Sequence, residues 1–158
     1  GWKPANRVRH VSAALQAYRQ GDRKHPTMRA VAGSLSDQDI ADLAAFYAAQ
    51  GRPAAVAAAP VTLPADLKDK LTACTACHGA NFDAPTDPAN PRLAGQHADY
   101  LAVALKAYRH QGQALIGRGN PTMVGMAATL TEAEVSRVAD YLASLPGSVH
   151  TPPERLLR

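Results

Sequence analysis

No stretch of the sequence approaches the roughly 20 consecutive apolar residues needed to cross a bilayer. The Ala-rich run at 54–59 is far too short. No signal peptide reads from the first residues, so an export signal is expected to have been removed or to lie outside the sequence. Basic runs interleaved with aromatics are missing, as is any recognisable nucleic-acid reader, which sets nucleic-acid binding aside. Phe (two) and Trp (one) are scarce, alanine is abundant, and neither sustained period-two alternation nor an Asn-Gly or Asp-Gly hairpin turn occurs. These absences argue for helices, and the expectation is an all-α fold. A hydrophobic content of 46% over 158 residues suffices for packed cores, in one ordinary domain or two small ones.

The net charge of +4 is unevenly placed. Residues 1–59 hold eight Lys/Arg against four Asp/Glu, whereas residues 60–158 hold nine of each. A basic first half suits an acidic partner or an anionic membrane surface. The scattering of those basic residues suits a plainly solvated surface instead.

An internal repeat organises the chain. Residues 25–46, opening His25-Pro-Thr-Met28, align without gaps onto 120–141, opening Asn120-Pro-Thr-Met123, at an offset of 95. Upstream, Ala14-Leu-Gln-Ala-Tyr18-Arg19 matches Ala104-Leu-Lys-Ala-Tyr108-Arg109 at an offset of 90, so the second copy has a loop five residues longer. Each copy reads as a helix, an irregular loop holding Pro-Thr-Met, and a second helix. Ser36 and Thr131 read as N-caps followed by acidic residues, and Gly51 and Gly147 as left-handed residues past the helix ends. Residues 64–74 read as a short helix leading to Cys74, followed by a Pro- and Asn-rich loop to Leu93. The first copy has no counterpart of this segment, since Gly1 aligns near Pro91. The expected organisation is residues 1–52 as the C-terminal portion of a first unit, 53–63 as a linker and 64–158 as a complete second unit.

That extra segment holds Cys74-Thr-Ala-Cys77-His78. Two cysteines three apart at a helix end form thioethers to the two vinyl groups of one haem, and the adjacent histidine then lies beneath the iron as proximal ligand. Competing readings fit less well. A tetrahedral zinc site needs four ligands, and there are only two Cys and no His pair at three-to-five spacing. A thioredoxin-type redox pair belongs beside a βαβ pattern, and a disulfide leaves His78 and the Met loop unexplained. For the sixth iron position the candidates are Met123, Met126, His97 and His110. A thioether favours ferrous iron and raises the potential. The repeat favours Met123, whose counterpart is Met28, over Met126, which aligns with Val31. The carbonyl of Pro91 is the expected acceptor for the other ring N–H of His78. Asn120 either donates to the Met123 sulfur or shapes a turn before Pro121. Tyr108 and Tyr141 either pack or donate to a haem propionate, and packing suits Tyr141 better.

Cys74-x-x-Cys77-His78-Gly79, Pro91-Arg-Leu-Ala-Gly-Gln96, Tyr100-Leu101, Tyr108-Arg109, Pro121-Thr-Met123 and Leu35-Ser-Asp-Gln-Asp-Ile-Ala-Asp-Leu-Ala-Ala-Phe-Tyr47 together resemble the dihaem cytochrome c4 family. These are tandem class I cytochromes of the bacterial periplasm. The resemblance implies two cytochrome c-like units, each with His/Met iron, passing electrons from a quinol-oxidising complex or dehydrogenase to a terminal oxidase. Carried over, Cys74 and Cys77 attach haem c, His78 and Met123 ligate it, and Met28 matches the axial methionine of a first haem. The sequence departs from the family in lacking a first Cys-x-x-Cys-His, so a second haem is expected only where an N-terminal segment restores one. An electron carrier is the leading expectation. A cytochrome subunit docked on a flavin- or quinone-dependent dehydrogenase and a haem enzyme or gas sensor are the alternatives.

Overall fold

In a computed structural model the described residues are 5–49, 61–87, 89–110 and 112–148, with side chains from Arg9 onward. Most of the expected linker, and Gly51 with it, lies outside them. The helices are α1 (Ala5–Gln20), α2 (Pro26–Gly33), α3 (Asp37–Ala49), α4 (Lys68–His78, entered through a 3-10 turn at Ala65–Leu67), α5 (Ala98–Arg109), α6 (Pro121–Ala128) and α7 (Glu132–Ser144).

Both Pro-Thr-Met stretches differ from the expected irregular loop, because each is the first turn of a helix. Pro26 and Pro121 sit at the start of α2 and α6, where the missing N–H has no intrahelical partner to lose and the fixed φ suits the helix. The residue before each proline is the cap. Asn120 Oδ1 accepts from the Met123 N–H at 3.1 Å, and His25 Nδ1 accepts from the Met28 N–H at 3.4 Å. The caps of α3 and α7 are reciprocal. Thr131 Oγ1 accepts from Glu134 N while a Glu134 carboxylate oxygen accepts from Thr131 N, and Ser36 and Asp39 do the same.

Within the first unit α1 packs on α2 and α3, and within the second α5 packs on α6 and α7. Repeat-equivalent ion pairs tie them: Arg19 to Asp37 at 2.6 Å, and Arg109 to Glu132. Among the described residues the all-α expectation holds except for one two-residue ladder. There β1 (Arg23–Lys24) pairs antiparallel with β2 (Gly117–Arg118), and Arg23 stands opposite Arg118. These arginines are equivalents at the offset of 95, so the two copies meet about a local pseudo-twofold axis. A pairing this short leaves no periodicity to read.

The large core belongs to the second unit. Leu67 and Leu71 from the α4 side and Phe82 from the following loop pack with Leu101, Leu130, Val135, Val138 and Leu142. Among the described residues, the α3 surface of the first unit has no such cover. Tyr47 is 56% exposed where its repeat partner Leu142 is 3% exposed, and Phe46, partner of half-buried Tyr141, is 58% exposed.

Gly147 does not take the left-handed conformation expected of a helix cap; α7 ends at Ser144, three residues earlier. It is glycine because of proximity, since a Cβ there would lie 2.0 Å from the Ala94 carbonyl oxygen. Gly79 answers a real left-handed demand, with φ +85, and its Cβ would meet the Ala84 oxygen at 2.1 Å.

Candidate functional site

Lys68–His78 presents the two thiols and the imidazole from its last turns, and Gly79 turns the chain away directly after them. Cys74 and Cys77 are half-buried and are not joined in a disulfide. Cys74 packs against the apolar cluster, and burial raises its pKa. His78 is 5% exposed, and burial lowers its pKa despite the opposing hydrogen bond to Pro91. A neutral imidazole is the form that binds metal. Its Nδ1 lies 2.9 Å from the Pro91 carbonyl oxygen, so Nδ1 carries the hydrogen and Nε2 keeps the lone pair. The donor set fits covalent haem: two unpaired thiols three residues apart and a buried imidazole with one nitrogen already occupied.

The loop that supplies Pro91 is fixed at several points. The Leu93 and Ala94 N–H groups both donate to the Phe82 carbonyl, at 2.8 and 3.1 Å, and the Gly95 N–H donates to Leu142 O at 3.0 Å. Phe82 takes φ +58, unusual for a side chain of that size, with its ring fully buried edge-on to Tyr141. Tyr141 in turn donates its hydroxyl to Thr62 O at 3.1 Å. Next to Pro91, Arg92 is buried with Asp83 and Ser148. None of Phe82, Asp83 and Ser148 stands out in the sequence, where no motif marks them.

Met123 and Met126 are both half-buried on α6, and Met28 is half-buried on α2. His97 and His110 are exposed residues flanking α5. Asn120 uses its carbonyl oxygen as a helix cap, so of its two expected roles the structure shows the turn-shaping one. Tyr108 lies at the joint between the units, under the Arg118 guanidinium at 5.5 Å, and Tyr18 receives Arg23 at 4.8 Å in the equivalent way. Between them the Tyr100 hydroxyl accepts from Arg23 and Arg118 at 3.0 and 3.2 Å. No helix among the described residues is long and apolar enough to cross a membrane.

Comparison with known proteins agrees with this geometry. The family model described as cytochrome c matches residues 68–146. The chain is 36% identical over 131 residues to cytochrome c4 of Azotobacter vinelandii, covering 78% of this chain and 61% of that protein, so it spans under two thirds of this curated relative's length. Among solved structures, cytochrome c4 of Acidithiobacillus ferrooxidans superposes with a TM-score of 0.64 at 28% identity, covering 87% of this chain and 84% of that one. The thiosulfate dehydrogenase TsdBA of Marichromatium purpuratum gives 0.68 at 30% identity, covering 94% of this chain and 34% of that one. With a buried histidine, the Cys74-x-x-Cys77-His78 spacing and these relatives, the chain belongs to the cytochrome c4 family and is an electron-transfer cytochrome carrying one covalently bound haem c.

Proposed function

We propose that this protein is a periplasmic relay that takes single electrons from a quinol-oxidising complex or a dehydrogenase and delivers them to a terminal oxidase, without a substrate of its own. The observation that carries the reading is the His78 Nδ1 to Pro91 carbonyl contact at 2.9 Å, which commits Nε2 to the metal side. Haem bound there supplies one-electron chemistry by alternating between ferric and ferrous iron. Cys74 and Cys77 would anchor it, and Met123 would ligate its iron from a first helical turn that Asn120 caps and Pro121 opens. Ligation by His78 and Met123 together would keep small molecules off the iron. Tyr108, at the joint, would donate to a propionate. Residues 1–52 belong to a first cytochrome unit, 53–63 to a linker and 64–158 to a second unit. Met28 occupies the first-unit position of Met123, and the exposed Phe46 and Tyr47 surface of α3 is what an attachment segment like α4 and its loop covers in the second unit. A first haem on such a segment, with Met28 as its axial ligand, accounts for both.

The test replaces each methionine. Met123→Ala is expected to abolish the charge-transfer absorption of Met-ligated ferric haem and to let the reduced protein bind carbon monoxide, while Met126→Leu keeps the parent spectrum. A parent protein that lacks this absorption and binds carbon monoxide readily overturns the relay. The similarity to TsdBA favours a second reading, a cytochrome unit docked on a dehydrogenase. Co-purification with a flavin- or quinone-dependent dehydrogenase selects it.

A further inference from the structure

We infer that the buried cluster of Asp83, Arg92 and Ser148 is a positioning device for His78 that sets how tightly the site holds its electron. This rests on His78 as the proximal ligand, which the parent protein's His/Met spectrum tests separately. The side chains of Arg92 and Asp83 are 4% and 0% exposed, with Arg92 Nη1 at 3.5 Å from Asp83 Oδ2. Asp83 Oδ1 accepts from both the Ser148 N–H at 3.0 Å and the Ser148 hydroxyl at 2.7 Å, and Arg92 Nη1 also donates to that hydroxyl oxygen. Three separate segments meet here: the loop after His78, the stretch holding Pro91, and the chain just past α7.

A buried ion pair is a poor way to gain stability, because apolar side chains of like volume serve as well once desolvation is counted. What such a pair supplies is a single geometry. Arg92 is the residue after Pro91, so its anchored guanidinium fixes the backbone on one side of the Pro91 carbonyl. The paired bonds from Leu93 and Ala94 to Phe82 O fix the chain just beyond it. The carbonyl is thereby held against His78 Nδ1 and cannot retreat without breaking buried hydrogen bonds. A full Nδ1–H bond makes the imidazole a stronger donor, which favours ferric iron, and a loosened one favours ferrous.

The experiment uses the haem-loaded full chain with Ser148→Ala, Ser148→Thr and Asp83→Asn. Each is measured for reduction potential, for the paramagnetically shifted ring resonances of His78 and for thermal unfolding. Ser148→Ala keeps both charges and removes the hydroxyl bridge. It is expected to shift the His78 resonances and raise the ferrous-to-ferric ratio at fixed ambient potential several-fold, and Ser148→Thr restores both. Asp83→Asn is expected to move them in the same direction. If Ser148→Ala lowers only the unfolding temperature, the cluster is a structural tie and the inference fails. It fails equally if the potential rises only in Asp83→Asn with His78 resonances unmoved, because the uncompensated Arg92 charge then explains the rise. Should Asp83→Asn not fold, the two Ser148 variants decide alone.

Discussion

Gly147→Ala isolates one contact. A Cβ at this position would stand 2.0 Å from the Ala94 oxygen, 2.4 Å from its carbonyl carbon and 2.8 Å from its Cβ. Cβ atoms essentially never approach another heavy atom within 3.0 Å, so the two segments must separate by about an ångström or more. The obstacle is backbone on both sides, and the same neighbourhood carries the Gly95 N–H to Leu142 O bond at 3.0 Å and the Ser148 N–H to Asp83 bond at 3.0 Å. Overpacking of this kind costs about 1–3 kcal/mol where side chains give way, and here none can, so about 3 kcal/mol or more is expected. For a unit of this size that lowers the unfolding temperature by roughly 12 °C or more, at about 4–8 °C per kcal/mol. Gly33→Ala is the control, the same chemical change at a helical position with nothing within 4 Å of the new methyl, and the repeat already carries Ala128 there. It is expected to stabilise by about 0.5 kcal/mol through reduced backbone entropy. Thermal unfolding followed by far-ultraviolet circular dichroism measures both. A Gly147→Ala protein within about 1 kcal/mol of the parent refutes the close-approach argument, since even a yielding site incurs about that much.

Thr131→Ala removes one half of the α7 capping box and should cost about 1 kcal/mol in denaturant unfolding, whereas exposed Ser136→Ala on the same helix should lie within about 0.5 kcal/mol of the parent. Burial pushes the Tyr100 phenol up, but the hydrogen bonds and charges of Arg118 and Arg23 outweigh it, and the net direction is down. Because the folded value lies below the unfolded one of about 10, this phenolate's contribution is present in full above that pH and lost as pH falls through the folded value. Nuclear magnetic resonance of ring-labelled tyrosines should therefore find Tyr100 ionising ahead of Tyr141, which burial raises. Arg118→Gln should delay Tyr100, and a Tyr100 that ionises with Tyr141 contradicts the arrangement.

The attachment motif, the helical class and the two-copy plan were all legible in the residue order, because each depends on local spacing. Cys74, Cys77 and His78 lie within one helix end, and the acidic residues after Ser36 and Thr131 mark the helix starts through contacts three residues long. The Pro-Thr-Met stretches mislead for an equally local reason. Proline breaks a helix interior, yet preceded by a capping residue it opens one, as at Pro26 and Pro121.

The features that needed the fold are contacts between residues far apart in the chain. Arg23 meets Arg118, Ser148 meets Asp83 across 65 positions, and Gly147 presses on Ala94. The sequence by itself determined which chemistry the protein carries, since ligand types and their spacing are covalent facts. Only the tertiary structure decided how that chemistry is held: which buried charge pair stands behind the His78–Pro91 contact, and how the two copies join. Those depend on which distant surfaces close-packing brings within hydrogen-bond reach.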